Sequence, residues 1–259
     1  MQREAWTNTM AAVVLGAFCV LLRWLQNVNS FDVETGLITS GAVLSWMLGI
    51  LMFIAVVVLG VLSWNLNRFN ASTDPEEAMA DPPKGLIAVL GAAAMAAAIG
   101  SIILFFTGIG AVNKFTGLLG LLAVPALMLY PFLPRWGFLG AVLSLNPMVF
   151  FCYWLVTGYR TYAVDPVLWS YAPLMLAIAA MCLASYRLSA YLFYRAKPAK
   201  TVFFCCLAPV FALTILMDTA TGASRLILGA WAVGMLALAG LLILNMTPPT
   251  LDEEEEEEA

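Results

Sequence analysis

The stretch GILMFIAVVVLGVL, residues 49–62, decides the fold class. It lies inside a window, residues 35–67, that contains no charged side chain. Its apolar residues do not alternate with polar ones, as they would in a strand of a membrane barrel. A bilayer core about 30 Å thick is crossed by roughly 20 apolar residues of α-helix. The stretch therefore predicts a transmembrane helix.

Windows without charge recur along the whole chain, and each is long enough for a crossing. They cover residues 5–22, 35–67, 85–113, 115–134, 136–159, 166–186, 201–217 and 226–251. The segments between them are short, which favours helical hairpins. The window at 115–134 is the weakest, because Pro125 and Pro131 interrupt it. If it failed to cross, the number of spans would be seven.

We therefore predict an all-α, polytopic transmembrane helix bundle of about eight spans in one domain, residues 1–247. The expected spans are 5–24, 37–64, 86–112, 117–133, 137–157, 166–186, 201–217 and 226–246. The small residues of 85–101 allow close helix approach, so the third span is expected at the centre of the bundle.

The composition agrees with a membrane protein. Hydrophobic residues make up 63% of the chain and charged residues 11%, and the mean hydropathy is +0.92. Water-soluble domains carry about 25% charged residues, because their surface must be solvated. No basic stripe with exposed aromatics indicates nucleic-acid binding.

The cations are distributed unequally between the two sides of an eight-span bundle. The N-terminal side collects Arg3, Arg68, Lys84, Arg135, Arg187, Arg195, Lys197 and Lys200, and the opposite side collects Arg23, Lys114, Arg160 and Arg225. Cytoplasmic loops are enriched in Lys and Arg, so both termini are expected in the cytoplasm.

Four of these cations lie in one stretch, SYRLSAYLFYRAKPAK, residues 185–200. Arg187, Arg195, Lys197 and Lys200 alternate there with aromatic rings, a pattern typical of the headgroup region. We expect them to contact anionic lipid headgroups. The alternative is a dedicated site for an anion.

A candidate ligand pocket is suggested by YWLVTGYRTYAVDPVLWSY, residues 153–171, together with an amide near the middle of the fifth span. Its residues are Asn146, Tyr153, Trp154, Arg160, Asp165 and Trp169. Aromatic rings can stack on a ligand that charged groups orient. Alternatively, the aromatics form belts at the membrane interface, and Asn146 donates a hydrogen bond between helices.

Catalytic chemistry has little support. The chain has no histidine, its five cysteines form no CxxC pair, and no recognisable catalytic or nucleotide-binding motif occurs. We expect no catalytic residue, no metal site and no cofactor. Asp218 and Arg225 flank a short turn and are expected to pair across it.

The C-terminal segment, residues 248–259, contains six consecutive Glu after Asp252. Like charges repel one another, so the segment is predicted to be a disordered acidic cytoplasmic tail. It could bind a basic protein partner or contact the basic stretch at 185–200.

The segment NSFDVETGLITSG, residues 29–41, followed by a long apolar run, resembles a segment of uncharacterised polytopic membrane proteins of anaerobic bacteria. The shared feature is the acidic-Thr-Gly turn after the first span. The resemblance implies a location in the bacterial cytoplasmic (inner) membrane. It implies no activity.

Two functions follow as hypotheses. The first is a non-enzymatic integral membrane protein that serves as an accessory or regulatory subunit. The alternative is a small-solute transporter or permease that uses spans four to seven, which contain Pro125, Pro147, Pro173 and Pro209. Proline-broken helices build binding sites in many transporters.

Overall fold

The computed structural model describes residues 2–29, 43–69, 71–162, 168–218 and 222–247, with the side chains of 2–5, 111 and 168–170 outside the description. Every secondary-structure element within these ranges is a helix. The α-helices are α1 (Gln2–Asn29), α2 (Val43–Asn65), α3 (Pro75–Ala78), α4 (Lys84–Thr107), α5 (Gly110–Leu129), α6 (Gly137–Tyr162), α7 (Leu168–Leu192), α8 (Pro198–Thr214) and α9 (Gly222–Leu244). Three short 3₁₀ helices cover Leu66–Arg68, Tyr130–Trp136 and Ile215–Met217.

Seven helical segments in the described part of the chain are long and apolar enough to cross a membrane. One of them, Val112–Tyr162, is 51 residues long and contains both α5 and α6. The prediction of an all-α helical bundle is therefore confirmed for the described residues, and the seven apolar segments agree with a multi-pass membrane protein. The tail at 248–259 and the segment at 30–42 lie outside the described residues.

Helices α5 and α6 form an antiparallel hairpin. The rings of Phe115 and Tyr153 meet with centroids 5.0 Å apart, and the Tyr130 hydroxyl donates to the carbonyl of Ser144 over 3.2 Å. The chain reverses in the 3₁₀ segment, after which Gly137 adopts a φ of +54°, a backbone conformation that favours glycine. A 51-residue straight helix would instead be about 76 Å long.

Other successive helices also pack antiparallel. At one end of the α1–α2 pair Gln26 meets Ser45, and at the other Ser63 meets Asn8. The end of α9 also lies beside the start of α4, although these helices are not successive. The Asn245 amide, just after α9, donates to the carbonyls of Ala78 and Ala80, just before α4.

The two ends of the bundle can be named from these contacts. The Trp6 ring lies against Gly240, so the start of α1 and the end of α9 are neighbours. We call this end, which also holds residues 66–83, 130–137 and 193–198, the terminal end. The other, which holds Arg23 and Asp218, is the opposite end.

Helices α8 and α9 form the centre of the bundle, with 67% and 72% of their most apolar stretches buried. The expectation that the third span, α4, is central is wrong, since 33% of its corresponding stretch is buried. One side of α4 packs against α5 and α9, and the other exposes Met95, Ile99 and Phe106. Its small residues allow two close contacts but do not surround it with neighbours.

One close backbone contact of α4 involves Gly117 of α5. A Cβ atom built there would lie 2.7 Å from the backbone nitrogen of Phe105 and 2.8 Å from the carbonyl oxygen of Ser101, both in α4. The obstructing atoms belong to a helix backbone, which cannot rotate away. Glycine therefore sets the distance between α4 and α5.

Gly117→Ala is expected to destabilise the protein by about 1–3 kcal/mol, the usual cost of overpacking. Gly91→Ala is the matched control, because it lies in α4 and a Cβ there meets nothing within 4 Å. Thermal unfolding of the purified proteins in one detergent measures the difference. Equal melting temperatures for the two variants would contradict the assigned role of Gly117.

Candidate functional site

The residues of the predicted pocket are spread along α6. The helical rise separates half-buried Asn146 from exposed Arg160 by about 21 Å, so one small ligand cannot touch both. Asp165 lies outside the described residues. Trp169 lies in α7, and its side chain is outside the description.

The aromatic members of the set take part in packing between helices. Tyr153 meets Phe115 of α5, and Trp154, which is 8% exposed, lies 5.4 Å from the Phe150 ring centroid. Seven residues before Tyr153, Asn146 occupies nearly the same face of α6 and so lies on the side toward α5. The structure thus places Asn146 and Tyr153 on one face and turns Trp154 toward the interior.

A cluster of hydroxyl groups lies in the terminal half of the bundle, where α5, α6 and α7 meet. The Ser144 carbonyl accepts from the Tyr130 hydroxyl and lies 2.7 Å from the Ser189 Oγ. Ser189 Oγ also lies 2.9 Å from the carbonyl of Ser185. All four residues are at most 1% exposed. We call Tyr130, Ser144, Ser185 and Ser189 the hydroxyl cluster.

A proline lies beside this arrangement. Pro147 of α6 has no N–H group, so the carbonyl of Leu143, the residue before Ser144, lacks its helical hydrogen bond. In a membrane, side chains of neighbouring helices form hydrogen bonds with the backbone groups that a proline leaves unpaired. Ser185 Oγ is buried and has no hydrogen-bond partner in the described structure, which leaves a donor inside the cluster.

The sequence reasoning did not identify this cluster. Its members come from two helices, α6 and α7, and from the 3₁₀ segment, and no spacing joins all of them. The available signal was the i, i+4 spacing of Ser185 and Ser189 on one face of an apolar helix.

A second polar group, the Arg23 network, lies at the opposite end. Arg23 Nε donates to Asp218 Oδ1 over 2.5 Å, and Arg23 Nη1 donates to Gln26 Oε1 over 2.7 Å. Gln26 Nε2 then donates to Ser45 Oγ over 2.8 Å. Each of these four side chains is less than a tenth exposed. The network links α1 to α2 and to the segment that follows α8.

The expected pairing of Asp218 with Arg225 is replaced by this contact. Helix α8 runs parallel to α1, as the contact of Gly16 with Val210 and Leu213 shows, and so brings Asp218 beside Arg23. Arg225 donates to the Leu216 carbonyl over 3.4 Å. A buried ion pair leaves a costly uncompensated charge if one partner is removed. The Arg23 network therefore acts as a clamp between helices.

The basic stretch at 185–200 forms the turn between α7 and α8 at the terminal end. Tyr194 has a φ of 55°, and the Arg195 N–H reaches the Ala190 carbonyl at 2.9 Å, which caps α7. Arg195, Lys197 and Lys200 are exposed there. The Arg187 guanidinium lies over the rings of Tyr186 and Phe204, at 5.5 and 5.9 Å. Contact of these cations with lipid headgroups remains a prediction. Their exposure is compatible with it.

No group of three or more potential metal ligands occurs among the described residues. No family model, curated protein or solved structure matches the chain. The two polar groups inside the bundle, the hydroxyl cluster and the Arg23 network, are therefore the candidate functional sites.

Removing one member of the ion pair is expected to destabilise the protein strongly. Arg23→Gln and Asp218→Asn should each lower the free energy of unfolding by about 3–5 kcal/mol, because each leaves a buried charge alone. The double variant should lose less than the sum of the two. Denaturant unfolding followed by circular dichroism measures all three. Lys114→Gln, at an exposed cation of the same end, is the control and should change little.

Additive losses in the double variant would contradict a direct pair. Losses as small as those of Lys114→Gln would contradict burial of the pair in the folded protein.

Proposed function

We propose that the chain is an eight-crossing protein of the bacterial inner membrane, with both termini in the cytoplasm. We further propose that it is not an enzyme and serves as an accessory or regulatory subunit of a membrane assembly. The alternative, a small-solute transporter, has one observation in its favour, given below.

Two contacts support eight crossings. The α5–α6 hairpin counts as two passes because its halves run in opposite directions. The contact of Trp6 with Gly240 brings the start of the first long helix beside the end of the last one. An odd number of crossings would hold these two residues on different sides of the bilayer.

The distribution of cations supports the orientation. Eight of the twelve Lys and Arg residues lie toward the terminal end, and Arg23 at the opposite end is neutralised by Asp218. Because cytoplasmic loops carry the excess of Lys and Arg, the terminal end is assigned to the cytoplasm.

Reporter fusions test both assignments. Alkaline phosphatase fused after Ile109, between α4 and α5, should be active, because its disulfides form only outside the cytoplasm. The same enzyme fused after Thr247 should be inactive, and a fluorescent protein at that site should fluoresce. Active phosphatase after Thr247 would contradict a cytoplasmic C-terminus. Inactive phosphatase after Ile109 would contradict the orientation of α4 and α5.

The filled interior of the bundle is the main observation in favour of an accessory subunit. Phe150, Phe151 and Trp231 are fully buried where α6 and α9 meet, and the rings of Phe151 and Trp231 lie 5.3 Å apart. Large rings in this position close the centre of the bundle between its two ends. A closed centre favours a protein that binds others at its outer surface over one that passes solutes.

The outer surface offers large apolar side chains for such binding. Helix α2 exposes Trp46, Phe53 and Trp64, which are 72%, 68% and 76% exposed. In α2, 28% of the most apolar stretch is buried, less than in the other described crossing segments. The acidic sequence at 248–259 adds a second means of contact, with a basic partner in the cytoplasm.

The hydroxyl cluster favours the alternative. It lies among the proline-containing helices α5, α6 and α7, and the Ser185 hydroxyl in it lacks a hydrogen-bond partner. A small polar solute or a water molecule could accept that hydrogen bond. Asn146 lies two residues after Ser144 in α6.

Native mass spectrometry of the protein purified gently from its own membrane separates the two functions. A second polypeptide at fixed stoichiometry is the expected result. A variant lacking residues 252–258 tests whether the tail holds that polypeptide, and Lys114→Gln serves as the control with an intact tail.

A lone chain or a homo-oligomer would contradict the accessory role. The transporter hypothesis then predicts that glycerol or urea enters liposomes containing the protein faster than it enters empty liposomes. It also predicts that Asn146→Leu abolishes this difference in rate.

A further inference from the structure

Two cysteine thiols meet on the outer surface of the α6–α7 hairpin. Cys152 Sγ and Cys182 Sγ lie 3.2 Å apart, within hydrogen-bonding distance and with no disulfide between them. Cys152 is exposed and Cys182 is half-buried, whereas Cys19, Cys205 and Cys206 are fully buried. The outward position gives Cys152 little part in packing. The three buried cysteines take part in no such pair outside the core.

The depth of this dithiol decides which reagents can reach it. By the helical rise, Cys152 lies about 22 Å from the start of α6 and about 15 Å from its end. Cys182 lies about 21 Å and about 15 Å from the two ends of α7. Both thiols are thus near the middle of helices that match the bilayer core of about 30 Å. Water-soluble disulfides such as oxidised glutathione act through thiolates at aqueous surfaces and do not reach this depth.

From this geometry we infer that Cys152 and Cys182 are a redox-active dithiol that a membrane quinone oxidises to a disulfide. The two S–H bonds break and one S–S bond forms between α6 and α7. The two electrons and two protons reduce the quinone to its quinol. Quinones already accept electrons that originate in protein dithiols in bacteria, so the chemical class suits the step.

The disulfide would tie α6 to α7 halfway through the membrane. Other contacts between the two helices include Ser189 beside Ser144 toward one end and Met175 against Gly158 toward the other. The bond would therefore hold the middle of a hairpin whose first helix contains Pro147. The inference does not depend on whether the protein is a subunit or a transporter.

The test uses the purified full-length protein in liposomes, treated with decylubiquinone. After denaturation, the number of thiols that react with a polymer-tagged maleimide should fall from five to three per chain. The intact mass should fall by about 2 Da, the two hydrogens lost in disulfide formation. Cys152→Ser and Cys182→Ser should each keep four reactive thiols with or without the quinone. Cys19→Ser should still lose two.

Three results would overturn the inference. Five reactive thiols after quinone treatment would show that the dithiol is inert. A mass increase equal to one quinone would show addition to a cysteine instead of oxidation. The same loss of two thiols with oxidised glutathione alone would show that the oxidant need not be soluble in lipid.

Discussion

Water is absent from the hydrocarbon core of a bilayer, so polar groups placed there must find their partners inside the protein. This constraint accounts for the polar contacts between the helices. Serine and threonine hydroxyls return to carbonyls of their own helix, as Thr157 does with Tyr153 and Thr214 with Val210. The charged Arg23 finds Asp218 in the segment that follows α8. The two polar groups then hold different ends of the bundle, the Arg23 network at the opposite end and the hydroxyl cluster toward the terminal end.

The same constraint removes the hydrophobic force that would drive helices together in water, so close packing must replace it. Glycine provides that packing at specific positions. Gly100 lets α4 approach Ile227 of α9, and Gly234 of α9 accepts Leu127 of α5. The large rings of Phe151 and Trp231 fill the space that remains at the centre. Helices α4 and α2 each turn one apolar side toward lipid. Sequence composition alone does not distinguish such a side from one that is buried in the protein.

The sequence was sufficient for the fold class, because a helix in a membrane is defined by length and absence of charge. Pro131, which interrupts the window at 115–134, lies in the 3₁₀ segment after α5, where that helix ends. Contacts between distant parts of the chain could not be derived in this way. Asp218 was expected to bind Arg225, seven residues on, but the order of helices α1 and α8 brings it to Arg23. The hydroxyl cluster and the meeting of Cys152 with Cys182 likewise depend on which helices are neighbours.

The position of the prolines relative to these contacts suggests a division of roles within the bundle. Helices α1, α2 and α8 are joined by the Arg23 network, and α8 and α9 have the largest buried shares among the described crossing segments. Three of the four described long helices with an interior proline, α5, α6 and α7, lie outside that network, and most of the hydroxyl cluster and the cysteine contact lie on α6 and α7. Broken backbone hydrogen bonds make such helices easier to bend than continuous ones. A change in shape would therefore cost least in the α5–α7 half, where the polar and redox-sensitive groups also lie.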